Sequence, residues 1–210
     1  MSSLLLEVST ILDMHNVVTA IHYGNRNGRD DDVFLITYGS RTFSSAVHGR
    51  LDIAAVGETW VPCMVSNLDP QITEPLLGGR VIFGSQADEW TARLARTRPD
   101  EETADYLAFH SRMFLEWARL CADEGRFNDA LENLGFAASF AAFNVYYQTH
   151  PRAVRLKHLM RYWKHPALAL LRQIRGTIKE EIPNLAVTYN VFANKVASHL
   201  TYVENQVCLL

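Results

Sequence analysis

The sequence predicts an α+β fold, in which a small mixed sheet with flanking helices covers residues 1–87 and an all-helical bundle covers residues 88–210. Two observations support this division. Runs of β-branched and apolar residues separated by turn residues, which are typical of strands, occur before residue 88. Beyond that residue, apolar positions recur at helical spacing, and proline and glycine mark the expected helix ends.

The first part should contain a helix, three strands and a second short helix. Ser3 can cap the first helix. β-branched and apolar residues predict strands over residues 17–23, 33–38 and 51–56. Between the first two strands, residues 24–29 have the composition of a glycine turn. A short helix around residues 59–67 is followed by an expected loop that contains Pro70 and Pro75.

The second part should consist of helices only. A long helix should begin after Pro99, where acidic residues favour the positive end of the helix dipole, and should end at Gly125. Residues 128–148 are apolar or small nearly all round, which predicts a buried central helix. Three further helices are expected, separated by Pro151, Pro166 and Pro183.

The composition indicates a globular cytoplasmic protein. Apolar residues make up 48% of the chain and charged residues 20%, which are ordinary values for a folded protein. The cysteines Cys63, Cys121 and Cys208 are dispersed and favour reduced thiols over a disulfide framework. No run approaches the ~18 apolar residues of a membrane-spanning helix, so we expect no membrane partner.

The net charge of −3 conceals a basic segment near the C-terminus. No acid lies between Glu132 and Glu180, whereas eight basic residues lie from Arg152 to Lys179. The candidates for nucleic-acid or partner contacts are Lys157, Arg161, Lys164, Arg172 and Arg175. Three interpretations are open: a surface that binds RNA or another polyanion, a solvated cationic face, or a contact with a protein partner or a second copy.

One segment carries the clearest indication of chemistry. The first predicted strand leads into Gly24 and Asn25, acids occupy positions 30–32 before the second strand, and Asp52 lies on the third. Alternate residues of a strand face the same way, so two acids two positions apart can act together with one on the neighbouring strand. Carboxylate oxygens are the ligands that divalent metal ions such as Mg²⁺ prefer.

This pattern resembles the nucleotidyltransferase-fold superfamily of DNA polymerase β, the aminoglycoside nucleotidyltransferases and the minimal transferases paired with helical HEPN-type bundles. Residues 74–84 are similar to the family's segment after the third strand. The resemblance implies Mg²⁺, a nucleoside triphosphate and transfer of a nucleoside monophosphate to a hydroxyl group. The metal-binding and catalytic residues would be Asp30, Asp32 and Asp52, and the nucleotide-binding residues would be Gly24, Asn25, Arg26 and Arg29.

A departure from the family pattern leaves the activity open. The family signature has two aspartates two positions apart, each followed by an apolar residue. If Asp32 is the first of these aspartates, Phe34 takes the second ligand position, and a phenyl ring cannot bind Mg²⁺. A shifted register restores two acids on one face, Asp30 and Asp32, but puts Asp31 at an apolar position. The chain is therefore an active nucleotidyltransferase, a degenerate homologue (a pseudoenzyme) that binds nucleic acid or protein through residues 152–179, or a purely structural or oligomeric protein.

Overall fold

The computed structural model describes residues 8–9, 16–26, 30–39, 44–48, 51–177 and 184–207. The helix expected after Ser3 lies mostly outside these ranges. The chain divides into two compact units, one formed by residues 1–98 and 152–155 and the other by residues 99–151 and 156–210. The first unit therefore extends past the boundary expected at residue 87, and it includes a segment from the basic region.

The first unit is built on a five-stranded mixed sheet. Its strands are β1 (Val17–Arg26), β2 (Asp30–Thr37), β3 (Ser44–His48), β4 (Leu51–Gly57) and β5 (Arg80–Phe83). Their order is β3-β4-β2-β1-β5, with β2 and β4 parallel and the other neighbours antiparallel. The predicted α+β fold, a mixed sheet followed by helices, is confirmed.

The two faces of the central strands carry different residues because side chains alternate along a strand. One face contributes to a hydrophobic cluster that includes Val33 and Leu35 of β2 with Leu51 and Ile53 of β4. The residues between them belong to the opposite face, where Asp32 is the first described side chain of β2. The uninterrupted parallel pairing of β2 with β4 keeps the two strands in phase from residue 31 to residue 37.

Within residues 51–98, the first unit contains three helices: α1 (Val61–Ser66), α2 (Pro70–Gly78) and α3 (Ala87–Arg96). The expected loop around Pro70 and Pro75 is wrong, because these residues lie in α2. Pro70 occupies the first turn, where a missing N–H costs nothing, and the Asp69 side chain caps the helix by accepting from the backbone N–H of Gln71 at 2.7 Å.

The second unit consists of helices, as predicted, over its described residues. They are α4 (Glu101–Asp123), α5 (Phe127–Tyr147), α6 (Leu156–Tyr162), α7 (Pro166–Thr177) and α8 (Leu185–Val207). A capping box begins α4: Asp100 accepts from the Thr103 N–H at 2.9 Å, and the Thr103 hydroxyl accepts from the Asp100 N–H at 3.3 Å. Gly125, with a φ of 75°, follows the helix in the turn before α5.

The central helix α5 packs against α4, α7 and α8. Its alanines are buried and allow the neighbouring helices to approach closely, as the sequence predicts. Side-chain hydrogen bonds join α4 and α5: the Ser111 hydroxyl donates to the Ala137 carbonyl at 2.7 Å, and the Asn144 amide donates to the Ala104 carbonyl at 3.3 Å. The Asn133 amide also donates to Cys121 Sγ at 3.8 Å. None of the helices in the described part of the chain is both long and apolar enough to cross a membrane.

Candidate functional site

Asp32 and Asp52 lie on adjacent strands as register partners. Partners in parallel strands place their side chains on the same face, and neighbouring strands are about 4.8 Å apart. Asp32 is buried, with 8% of its surface exposed, and Asp52 is half-buried. The sheet thus brings together two carboxylates whose residues are twenty positions apart in the sequence.

Gly24 makes room for the Asp32 carboxylate. The two residues are register partners in the β1–β2 hairpin, and a register shift in β1 separates His22 from Gly24. A Cβ atom added at position 24 would lie 1.9 Å from Asp32 Oδ2 and 2.8 Å from its Cγ. Only glycine fits beneath the acid without displacing it.

Gly24 and Asn25 belong to β1 and not to the expected turn. The strand continues to Arg26, and backbone pairing links Asn25 to Asp31 and Arg26 to Asp30. The extra length of the strand follows from this pairing, which the composition of the segment alone does not reveal. The nucleotide contacts expected for these residues stay predictions, as does that of Arg29, which lies outside the described residues.

Asp31 interacts with His22 and is not part of the Asp32–Asp52 pair. His22 Nε2 donates to Asp31 Oδ1 at 3.0 Å, and both side chains are largely buried. Alternation along β2 assigns Asp31 to the face of Val33, away from Asp32. Sequence patterns assign no specific role to His22. The local indication of this pair is a histidine in an apolar strand that is followed by an acidic strand.

Phe34 occupies the position where the family pattern has its second aspartate. It lies two residues after Asp32 in a stretch of β2 whose pairing is uninterrupted, so it shares the Asp32 face. The side chain is completely buried, and its register partner on β4 is Ala54. Neither residue has an oxygen in its side chain to offer to a metal ion.

The donor set fits one magnesium ion. Mg²⁺ is often held by one or two carboxylates together with substrate phosphates and water, and Asp32 and Asp52 supply two carboxylates. A second ion would need a further acid on the same face, where Phe34 stands. The described residues contain no group of three or more acids, histidines or cysteines positioned around a common metal ion. Asp30 begins β2, but its side chain lies outside the described part.

The basic residues of the second unit differ in their environment. Lys157 and Arg161 are exposed on α6, and Lys164 is exposed in the segment that follows. The Arg172 guanidinium instead donates to the carbonyls of Met160 and Trp163, which stabilises the end of α6. The last candidate, Arg175 of α7, is only partly exposed.

Comparisons with known proteins reveal a distant structural likeness. No protein-family model matches the chain, and the comparison with curated proteins gives no match. Among solved structures, the chain is similar to a nucleotidyltransferase-like protein from Exiguobacterium sibiricum, with 14% sequence identity and a TM-score of 0.42. The similarity covers 89% of this chain and 69% of the other.

Proposed function

We propose that this chain binds one magnesium–nucleotide complex through Asp32 and Asp52 without transferring the nucleotidyl group. The observation that carries the proposal is the pairing of two carboxylates on one face of adjacent strands, followed on the same face by Phe34. Two acids suffice to hold one hydrated Mg²⁺ whose remaining ligands are phosphate oxygens. Two-metal catalysis needs ligands for a second ion at the attacking oxygen.

The chain's own residues would orient the bound complex. Gly24 leaves the space that the Asp32 carboxylate occupies, so a side chain at position 24 would displace this ligand. Arg26 is the last residue of β1, and Arg29 follows three positions later in the sequence. Guanidinium groups bind phosphate oxygens well, so both arginines would contact the phosphates. Mg²⁺, when bound, would neutralise phosphate charge and hold the nucleotide against the sheet.

The rival proposal is an active transferase in which Asp30 supplies the missing carboxylate. The two proposals agree on nucleotide binding and differ on chemistry. An active enzyme incorporates label from a nucleoside triphosphate into an acceptor in a magnesium-dependent reaction, and Asp30→Ala abolishes it. A binding protein releases the triphosphate unchanged.

Calorimetric titration of the intact chain with nucleoside triphosphates, with and without Mg²⁺, tests the binding. We expect magnesium-dependent binding that Asp52→Asn weakens at least tenfold. Asp31→Asn is the matched control, because this acid is adjacent to Asp32 on β2 but lies on the opposite face of the strand and is bound to His22. Equal affinity of the Asp52→Asn variant and the wild type would refute the site. Magnesium-dependent incorporation of label by the wild type would refute the absence of transfer.

A second function is favoured by a separate observation. Lys157, Arg161 and Lys164 are exposed in a stretch without acids, so the second unit can attract a polyanion. Neutralised phosphates release counterions, so the affinity must fall steeply as salt rises. Arg172 contributes less to this surface than the sequence suggests, because its guanidinium is bonded to backbone carbonyls.

Binding of RNA and heparin at two salt concentrations tests this second function. Combined charge reversal, Lys157→Glu with Arg161→Glu, should abolish binding at low salt. Lys195→Glu on α8 is the control, since Lys195 is an exposed cation outside the basic stretch. Undetectable binding by the wild type, together with a dimer that these reversals dissociate, would assign the surface to contacts between copies of the chain.

A further inference from the structure

The exposed face of α6 combines cationic and aromatic side chains. Leu156 and Leu159 are buried, Met160 is half-buried, and the other four residues after Leu156 in α6 are exposed. Helical spacing places the exposed residues on one continuous face. They are Lys157, His158, Arg161 and Tyr162.

Tyr162 is the aromatic centre of this face. Its side chain is 60% exposed, although an aromatic ring gains free energy from burial. The Arg161 guanidinium lies 5.2 Å from the centre of the ring, and the His158 ring lies 4.5 Å from it at an angle of 44°. The neighbouring side chains hold the tyrosine ring in place and leave much of it open to solvent.

Charge and aromatic surface together narrow the choice of partner. Cationic side chains alone would suit any polyanion, including duplex nucleic acid, heparin or an acidic membrane surface. An exposed ring among cations also suits unpaired bases, which stack on aromatic side chains while the phosphates contact lysine and arginine. In a duplex the base faces are already stacked and cannot reach such a ring.

We infer that α6 binds a single-stranded polynucleotide, with Tyr162 stacking on a base and Lys157 and Arg161 contacting the adjacent phosphates. This inference rests on the second proposed function and specifies its ligand. Stacking on Tyr162 accounts for the preference for single strands, whereas the cations supply affinity that does not depend on the base. His158 acts as a positioning residue that supports the tyrosine ring from one side.

Fluorescence anisotropy with the intact chain at low salt tests the inference. The probes are a labelled single-stranded oligonucleotide of about twelve bases, the duplex of the same sequence, and heparin as a competitor. One stacked base contributes about 1–3 kcal/mol, so Tyr162→Ala should weaken single-strand binding roughly 5- to 150-fold. Tyr162→Phe keeps the ring and should stay within about threefold of the wild type.

The duplex and a second aromatic residue provide the controls. Duplex binding should change less than twofold in Tyr162→Ala, because the cations remain. Phe109→Ala on α4 removes a ring of similar exposure, 61%, outside the basic stretch and should leave single-strand binding unchanged.

Three results would overturn the inference. Equal affinities for single strand and duplex, both unaffected by Tyr162→Ala, would mean a purely electrostatic surface, and the proposed polyanion binding would survive. Absence of binding to all three probes at low salt would refute the proposed polyanion binding as well. A stable dimer that Tyr162→Ala dissociates would show that a second copy of the chain covers this face.

Discussion

Replacing Gly24 by alanine should displace the Asp32 carboxylate and weaken magnesium binding. The new methyl carbon would lie 1.9 Å from Asp32 Oδ2, whereas ordinary contacts of such atoms begin near about 3.4 Å. The carboxylate must therefore move by roughly 1.5 Å. Its Cγ and Cβ, at 2.8 and 3.1 Å, are also too close, so rotation of the carboxylate alone does not relieve the contact.

The size of the two effects follows from this geometry. Overpacking at a buried site costs about 1–3 kcal/mol of the free energy of unfolding. Mg²⁺ requires oxygen ligands at about 2.0–2.1 Å in near-octahedral geometry, so a displaced ligand is largely lost. Loss of a group that positions a ligand typically weakens metal binding about 10- to 100-fold.

Denaturant titration and calorimetric Mg²⁺–nucleotide titration of Gly24→Ala measure the two effects. Gly125→Ala is the matched control: position 125 has a φ of 75° and open space around its missing Cβ. This substitution strains the backbone by about 1–2 kcal/mol but should leave metal affinity unchanged. The reasoning is refuted if Gly24→Ala binds the complex as tightly as the wild type.

Three further substitutions test a helix cap, a partly buried histidine and an ion pair. Asp100→Ala removes the cap of α4 and should lower the free energy of unfolding by about 1 kcal/mol in denaturant titration. Burial, and to a lesser extent the nearby charge of His165, lower the pKa of His199 below its ordinary 6.5. Stability from His199 is thus fully present above pH 6.5 and is lost as the pH falls through the lowered pKa, so His199→Gln should flatten the decline measured between about pH 7.5 and 5. Arg155→Gln breaks the 3.2 Å ion pair with Glu74 and should cost about 1 kcal/mol, because the pair is partly exposed; an unchanged denaturation midpoint would contradict this.

Local patterns predict most elements of the sheet but not their extent. The runs around Leu35 and Ile53 were identified as strands because such residues suit a buried pleated surface. The sequence does not predict the short strand Ser44–His48, because the composition of this segment alone does not indicate a strand. The strand is defined by its pairing with β4. The sequence predicts a loop where the helix Pro70–Gly78 forms, because its two prolines argue against a helix; the Asp69 cap is evident only in the structure.

The sequence predicts only part of the candidate site. The proximity of Asp32 and Asp52 was expected from the resemblance to a family, and the parallel register of β2 and β4 gives it a geometric basis. The close contact between Gly24 and Asp32 could not be foreseen, because it depends on a register shift in β1. The composition of segment 24–26 predicts a turn, since composition does not reveal how far the paired strands of a hairpin continue.

The number of metal ions bound with the nucleotide tests the central claim most directly. Mn²⁺ can replace Mg²⁺ at oxygen sites and is counted by electron paramagnetic resonance during titration of the chain and a non-hydrolysable triphosphate. We predict one bound Mn²⁺ per chain, dependent on the nucleotide and lost in both Asp32→Asn and Asp52→Asn. Two bound ions per chain, one of them lost in Asp30→Ala, would contradict the account and identify an intact two-metal centre.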